Sequence, residues 1–165
     1  MIEAYIKLLD QGYYELQFAL EGMAADKVWV RPAPNLLSVG ELAGHIAYWE
    51  AVRLAGEGTD LDKCSIKSPL VDSRFMYYPH TVPEAPGPEH LALTAVDVHA
   101  EVLRVHQEAM AAFRALAPDP DSPIPGCPTG FTYSQYLEYA CFHIAYHIGQ
   151  MYSVRHLFGE ETPDN

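Results

Sequence analysis

Positive charge is scarce in this sequence. Ten Lys and Arg face 22 Asp and Glu over 165 residues, a formal net charge of −12, and the cations form no cluster. A surface that neutralises phosphates needs such clusters, so no nucleic-acid partner is expected. Cysteine is also sparse. Cys64, Cys127 and Cys141 are odd in number, widely spaced and free of any C-x-x-C pair, which argues against a disulfide framework or a zinc knuckle and fits a reducing compartment. No stretch of about 18 uninterrupted apolar residues occurs, so no membrane partner is expected either. The start, Met1-Ile-Glu-Ala-Tyr-Ile-Lys7, mixes charge into its apolar pattern without the order of a leader. The expected setting is therefore cytoplasmic. Strand-like alternation, internal repeats and low-complexity segments outside the proline-rich loops are missing too.

What remains is 49% hydrophobic and 19% charged, the composition of a globular chain, read here as one domain over residues 1–165. Apolar residues at Tyr5, Leu8, Leu9, Gly12, Leu16, Ala19, Leu20 and Met23 recur at three-and-four spacing and predict a first helix through about Glu21. Arg31-Pro-Ala-Pro-Asn35 breaks the pattern. Ser38-Val-Gly-Glu41 is a capping box that opens a second helix with the stripe Leu42, His45, Ile46, Trp49 and Val52, ending before Gly56. A third helix starts at Thr94-Ala-Val-Asp97 and carries Val96, Val98, Val102, Leu103, Val105, Ala109, Met110, Phe113 and Leu116 inward, with Glu101, Arg104 and Glu108 outside. After the rigid loop Pro118–Pro128, Thr132-Tyr-Ser-Gln135 caps a fourth helix that runs to Phe158-Gly159.

Between the second and third helices, from about Glu57 to Leu91, five prolines and the aromatic group Phe75-Met-Tyr77-Tyr78 interrupt any period. A connection of about 30 residues can span the length of a helix, so the second and third helices can run parallel. The predicted architecture is an all-α four-helix bundle with a long crossover between helices two and three. The aromatic group reads as a pocket lid, a dimer contact or a packed part of that crossover.

The chemistry centres on Tyr139-Ala-Cys-Phe-His143-Ile-Ala-Tyr-His147-Ile-Gly-Gln150. Histidines at i and i+4 share a helix face with Cβ atoms about 5–6 Å apart and can converge on one ion. His45, inward on the second helix, supplies a third imidazole in the middle of the bundle. Three buried neutral histidines need partners, and a divalent metal provides one. Three imidazoles with an open fourth position are the donor set of a catalytic metal site. The competing explanation is core histidines bonded to backbone or carboxylates. His99 and His106, on the third helix, are rival ligands or boundary residues beside Glu101 or Asp97. His80, His90 and His156 read as loop or surface residues. Glu41 either orients His45 or only caps its helix, and Cys141, turned some 200° from His143, reads as a packed thiol. Tyr139 and Gln150 are the pocket candidates.

The proline-rich lead-in before Ser38-Val-Gly-Glu-Leu-Ala-Gly-His45-Ile-Ala-Tyr-Trp-Glu50, together with H-x-x-x-H-x-x-G-Q over His143 to Gln150, resembles the DinB/YfiT superfamily of metalloenzymes, a bacterial stress- or damage-inducible type of family. The likeness covers nearly the whole chain. It implies a bundle of up-down-down-up topology that holds one divalent metal on His45, His143 and His147, with zinc or nickel foremost and iron or manganese as alternatives. The superfamily's characterised branches include transferases and an isomerase that use low-molecular-weight thiols. The three-histidine site itself fits a metal-dependent enzyme acting on a small-molecule substrate, either as a hydrolase or as a transferase using such a thiol, and a homodimer is expected. The chain departs from H-R-G-Q at Ile148. The missing cation weighs against an anionic thiol as co-substrate. The other function class is a non-catalytic metal-binding or interaction protein whose ion is structural.

Overall fold

The computed structural model describes residues 2–77 and 84–163. Its helices are α1 (Ile2–Leu20), α2 (Val39–Leu54), α3 (Pro88–Leu91, a single turn), α4 (Ala95–Leu116) and α5 (Tyr133–Leu157). The three capping boxes form as the spacing requires. Ser38, Thr94 and Thr132 each accept from the amide of the third residue on, while the side chains of Glu41, Asp97 and Gln135 return to the cap amide. Each box satisfies donors that a helix start leaves orphaned, and so fixes the register of the helix behind it.

Long-range bonds give the directions. Near the start of α5 the Cys141 thiol donates to the Tyr5 carbonyl, and near its end Arg155 donates to the Ala19 and Glu21 carbonyls, so α1 and α5 run parallel. The Tyr136 hydroxyl reaches the Trp49 carbonyl while His143 meets His45, so α5 runs against α2. Trp29, which packs on Gly40 at the start of α2, donates to the Leu93 carbonyl just before α4, and His106 pairs with Glu50 further along; α2 and α4 are therefore parallel. The topology is up-down-down-up, and the crossover between α2 and α4 runs the length of the bundle.

Almost every residue of α2 is buried, because α4, α5 and the crossover enclose it. Cys64, Ile66, Leu70 and Phe75 from the crossover join the core. At Gly12 a Cβ would lie 2.6 Å from Ile144 Cγ2, so α1 and α5 approach through a glycine. Three assignments to apolar faces are corrected. Leu8 and Val96 are 57% and 76% exposed, since each sits about 100° from the true stripe residues Leu9 and Ala95. Leu116, in the last turn of α4, is exposed as well. Tyr78 and His80 lie outside the described residues. Among the described residues no helix is long and apolar enough to cross a membrane.

Candidate metal centre

α2 and α5 bring His45, His143 and His147 together. His143 Nε2 is 3.2 Å from His45 Nε2 and 3.1 Å from His147 Nε2. The opposite nitrogens show what these short contacts mean. His45 Nδ1 donates to the Phe75 carbonyl at 2.7 Å. His147 Nδ1 donates to Gln150 Oε1 at 2.7 Å, with the Gln150 amide NH2 turned to the Tyr146 hydroxyl. Both rings therefore present bare lone pairs at Nε2, and one proton on His143 Nε2 serves only one of them. A tetrahedral ion held at about 2.0–2.1 Å by each nitrogen would separate them by about 3.3 Å, close to the observed spacing. The cluster has the donors and the geometry to coordinate a metal.

The surroundings orient the rings. At Gly44 a Cβ would lie 2.7 Å from the Phe75 ring, so the missing side chain lets Phe75 close on α2 and bring its carbonyl to His45. Tyr77 stacks on His45 with centroids 5.6 Å apart, and Tyr139 leans on His143 at 5.5 Å. Such partners fix tautomer and orientation and raise ligand basicity. Phe75 and Tyr77 thus line the centre from the crossover, Phe75 buried in the core and Tyr77 in the cavity wall.

A cavity of about 300 Å³ opens beside His45 and His143, lined by aromatic Trp49, Tyr77, Phe131, Tyr136 and Tyr139 and by Arg53 and Thr129. Tyr139 lines the cavity, whereas Gln150 sits behind His147 as its hydrogen-bond partner. Glu41 does not touch His45. It is wholly buried in the capping box, where Arg31 donates from Nε to both carboxylate oxygens at 3.0 Å. Cys141 faces the backbone of α1 and α5, away from the cluster.

The remaining histidines have other work. His106 is buried on the far side of α2, stacked on Tyr13 and held by Glu50 at 2.6 Å and Asp10 at 3.2 Å, rather than beside Glu101 or Asp97. The Tyr13 hydroxyl donates to the same Glu50 carboxylate. His99 lies in the groove next to this network, remote from the three-histidine cluster. His90 corrects the expectation of a surface residue, being fully buried. Its Nδ1 accepts from the Gly87 amide and its Nε2 donates to the Pro69 carbonyl, so although it neighbours Asp72 and Glu89 it keeps no lone pair for a metal. His156 is exposed and bonded to Thr162.

Burial, reinforced by the charge of His147, lowers His45 to about 4, against the Phe75 carbonyl that favours the proton. Burial, then His147 and His45, lower His143 to about 2. His147 is lowered mainly by burial, with Gln150 opposing. All three are neutral at pH 7, the form that ligates. Because the folded chain refuses protons that the unfolded chain accepts near pH 6.5, the metal-free protein should lose stability as pH falls from about 6.5 toward 4, by about 1.4 kcal/mol per pH unit for each of His45 and His143, with His147 acting in the same direction. His106 works in the other direction. Burial opposes its charge, but Glu50 and Asp10 outweigh it and raise the pKa, so its stabilising contribution is lost only as pH rises through that raised value. Urea unfolding of chelator-treated protein at about pH 6.5 and 5, a window in which the His106 contribution no longer changes, checks this, and equal midpoints would contradict the buried neutral cluster.

Fold and site define the class: a four-helix bundle with a three-histidine centre between antiparallel helices. The DinB superfamily model matches residues 8–151, and the chain belongs to that superfamily. No curated protein and no solved structure matches it. Arg53, the Phe75 carbonyl and the Glu50–His106 pair are the polar features that sequence reading passed over. A signal existed for Arg53, which continues the His45, Trp49 spacing by another four residues.

Proposed function

We propose that the chain is a metal-dependent enzyme that holds one divalent ion on His45, His143 and His147 and acts on a small organic molecule in the adjoining cavity. The observation that carries this reading is the convergence of three imidazoles beside an open cavity, with His143 Nε2 3.1–3.2 Å from the Nε2 atoms of the other two and both of those rings already committed at Nδ1. When bound, such an ion acidifies water or a thiol and polarises a substrate oxygen. The chain's own residues do the positioning. Trp49, Phe131 and Tyr139 offer flat apolar walls, and the hydroxyls of Tyr139 and Thr129 offer hydrogen bonds. Carboxylates are absent among the described lining residues, so a bound ion would have to acidify the nucleophile enough for its proton to pass to solvent.

Hydrolysis and thiol transfer both suit this arrangement, with zinc or nickel as the ion. A chromogenic ester assayed in water, and a chromogenic aryl halide assayed with a simple thiol, separate the two reactions. The expected result is turnover of one of them that disappears on chelation and returns with about one equivalent of metal. A protein that binds the ion, turns over neither probe and unfolds on chelation would instead be the non-catalytic protein with a structural ion. One domain working in the cytoplasm as a homodimer belongs to the same proposal. The exposed aromatic ladder of Phe142 and Tyr146 on α5 supports the dimer, which sedimentation of the purified chain checks.

A further inference from the structure

Arg53 is 5% exposed, yet its guanidinium has no carboxylate partner among the described residues. It donates a hydrogen bond from Nη1 to the Gly58 carbonyl at 3.0 Å and lies over the face of Trp49, 4.7 Å from the ring centroid. Glu50, three residues before it on the same helix, is engaged by Tyr13 and His106 and forms no ion pair with Arg53. The titratable side chains that feel the charge of Arg53 include the Tyr136 phenol and the Cys127 thiol, neither of them a carboxylate. The other buried arginine, Arg155, is paired with Glu160 at 2.7 Å. A buried cation without a counter-ion is costly, and a fork of donors left over in a cavity wall is a ready site for an anion.

Position gives the site its meaning. His45, Trp49 and Arg53 follow one another at four-residue spacing on α2 and all line the same cavity. Eight residues of helix rise about 12 Å. The three-histidine cluster thus stands at one end, Trp49 forms the wall between, and Arg53 waits at the other. We propose that Arg53 is a specificity-determining residue, and that the substrate is a small organic anion: a planar or apolar body carrying a carboxylate or similar group at the end remote from the metal centre. This rests on the reading of the three-histidine centre as the reactive end of the cavity. The anion end is built from protein alone and is testable without any metal.

The probes are 4-phenylbutyrate and its neutral counterpart 4-phenylbutanol, titrated calorimetrically into the full-length chain after chelation, which keeps the carboxylate from simply ligating a metal. The carboxylate should bind about tenfold or more tightly than the alcohol, the yield of a charge-assisted hydrogen bond. Arg53→Met should bring the two affinities together, while Arg53→Lys should keep part of the preference. Equal affinities in the wild type, a preference that survives Arg53→Met, or no binding of either probe at millimolar concentration would each overturn the proposal. Arg53→Lys and the wild-type comparison decide the matter if Arg53→Met does not fold. Failure of the metal reading would show separately, as absent metal or absent metal-dependent turnover, with the carboxylate preference intact.

Discussion

Replacing His143 with alanine should abolish tight divalent-metal binding while leaving the bundle folded. His143 Nε2 is the hub of the cluster, within 3.2 Å of the Nε2 atoms of both other histidines, so its loss leaves two imidazoles on different helices. Removing partners that merely orient metal ligands costs about 10–100-fold in affinity, so removing a ligand should cost more than about 100-fold. The fold should survive for a physical reason. The ring borders an existing cavity, so truncation enlarges an open space rather than creating a sealed void. It also removes a buried imidazole that burial and two neighbouring histidines hold far from its ordinary titration. Elemental analysis of purified protein, competition with a chromogenic chelator and circular dichroism read the outcome. A variant that keeps about one equivalent of metal would sink the three-histidine site, and one that unfolds outright would point to a structural ion.

The parts of this architecture that local chemistry controls were legible in the sequence. Each capping box lies within four residues, so Ser38, Thr94 and Thr132 mark their helix starts without knowledge of any partner. His45 was legible because an imidazole on an otherwise apolar stripe needs an explanation, and His143 and His147 because one helix turn joins them. The crossover was long enough to allow the parallel pairing of α2 and α4.

What escaped depends on contacts far apart in the chain. His90 occupies a four-residue turn too short to show a period, and it is buried because Trp29 and Phe75 close around it. The pairing of His106 with Glu50 joins residues 56 apart. Arg53 looks like an ordinary helix-end cation until the loops cover it. There Gly58 and Gly126 meet so closely that a Cβ on Gly58 would lie 2.3 Å from the Gly126 carbonyl oxygen, and the Gly58 carbonyl takes the arginine.

The second large effect is expected at Glu41. Its fully buried carboxylate accepts from the Ser38 amide and hydroxyl at 2.8 Å, from Arg31 through Nε and Nη2, and from the Tyr77 hydroxyl at 3.3 Å. Glu41→Ala removes the common acceptor and leaves the others behind. Ser38 is itself buried, and the side chain of Arg31 is only 25% exposed, so neither regains full hydration. Breaking one side of a buried ion pair costs about 3–5 kcal/mol, and loss of the cap adds about 1 kcal/mol, against a total stability of about 5–15 kcal/mol for a domain. Glu41→Gln should fall between, because glutamine also completes a capping box but cannot neutralise Arg31. Urea unfolding at pH 7.5 measures both, and a loss below about 1 kcal/mol for Glu41→Ala would show that the cluster relaxes into solvent. The same variant should also weaken metal binding. Tyr77, released from Glu41, is the ring stacked on His45, and Ser38 starts the helix that carries His45. Glu41 would then reach the metal centre through the helix start and the Tyr77 ring, as a positioning residue that never contacts the ligands.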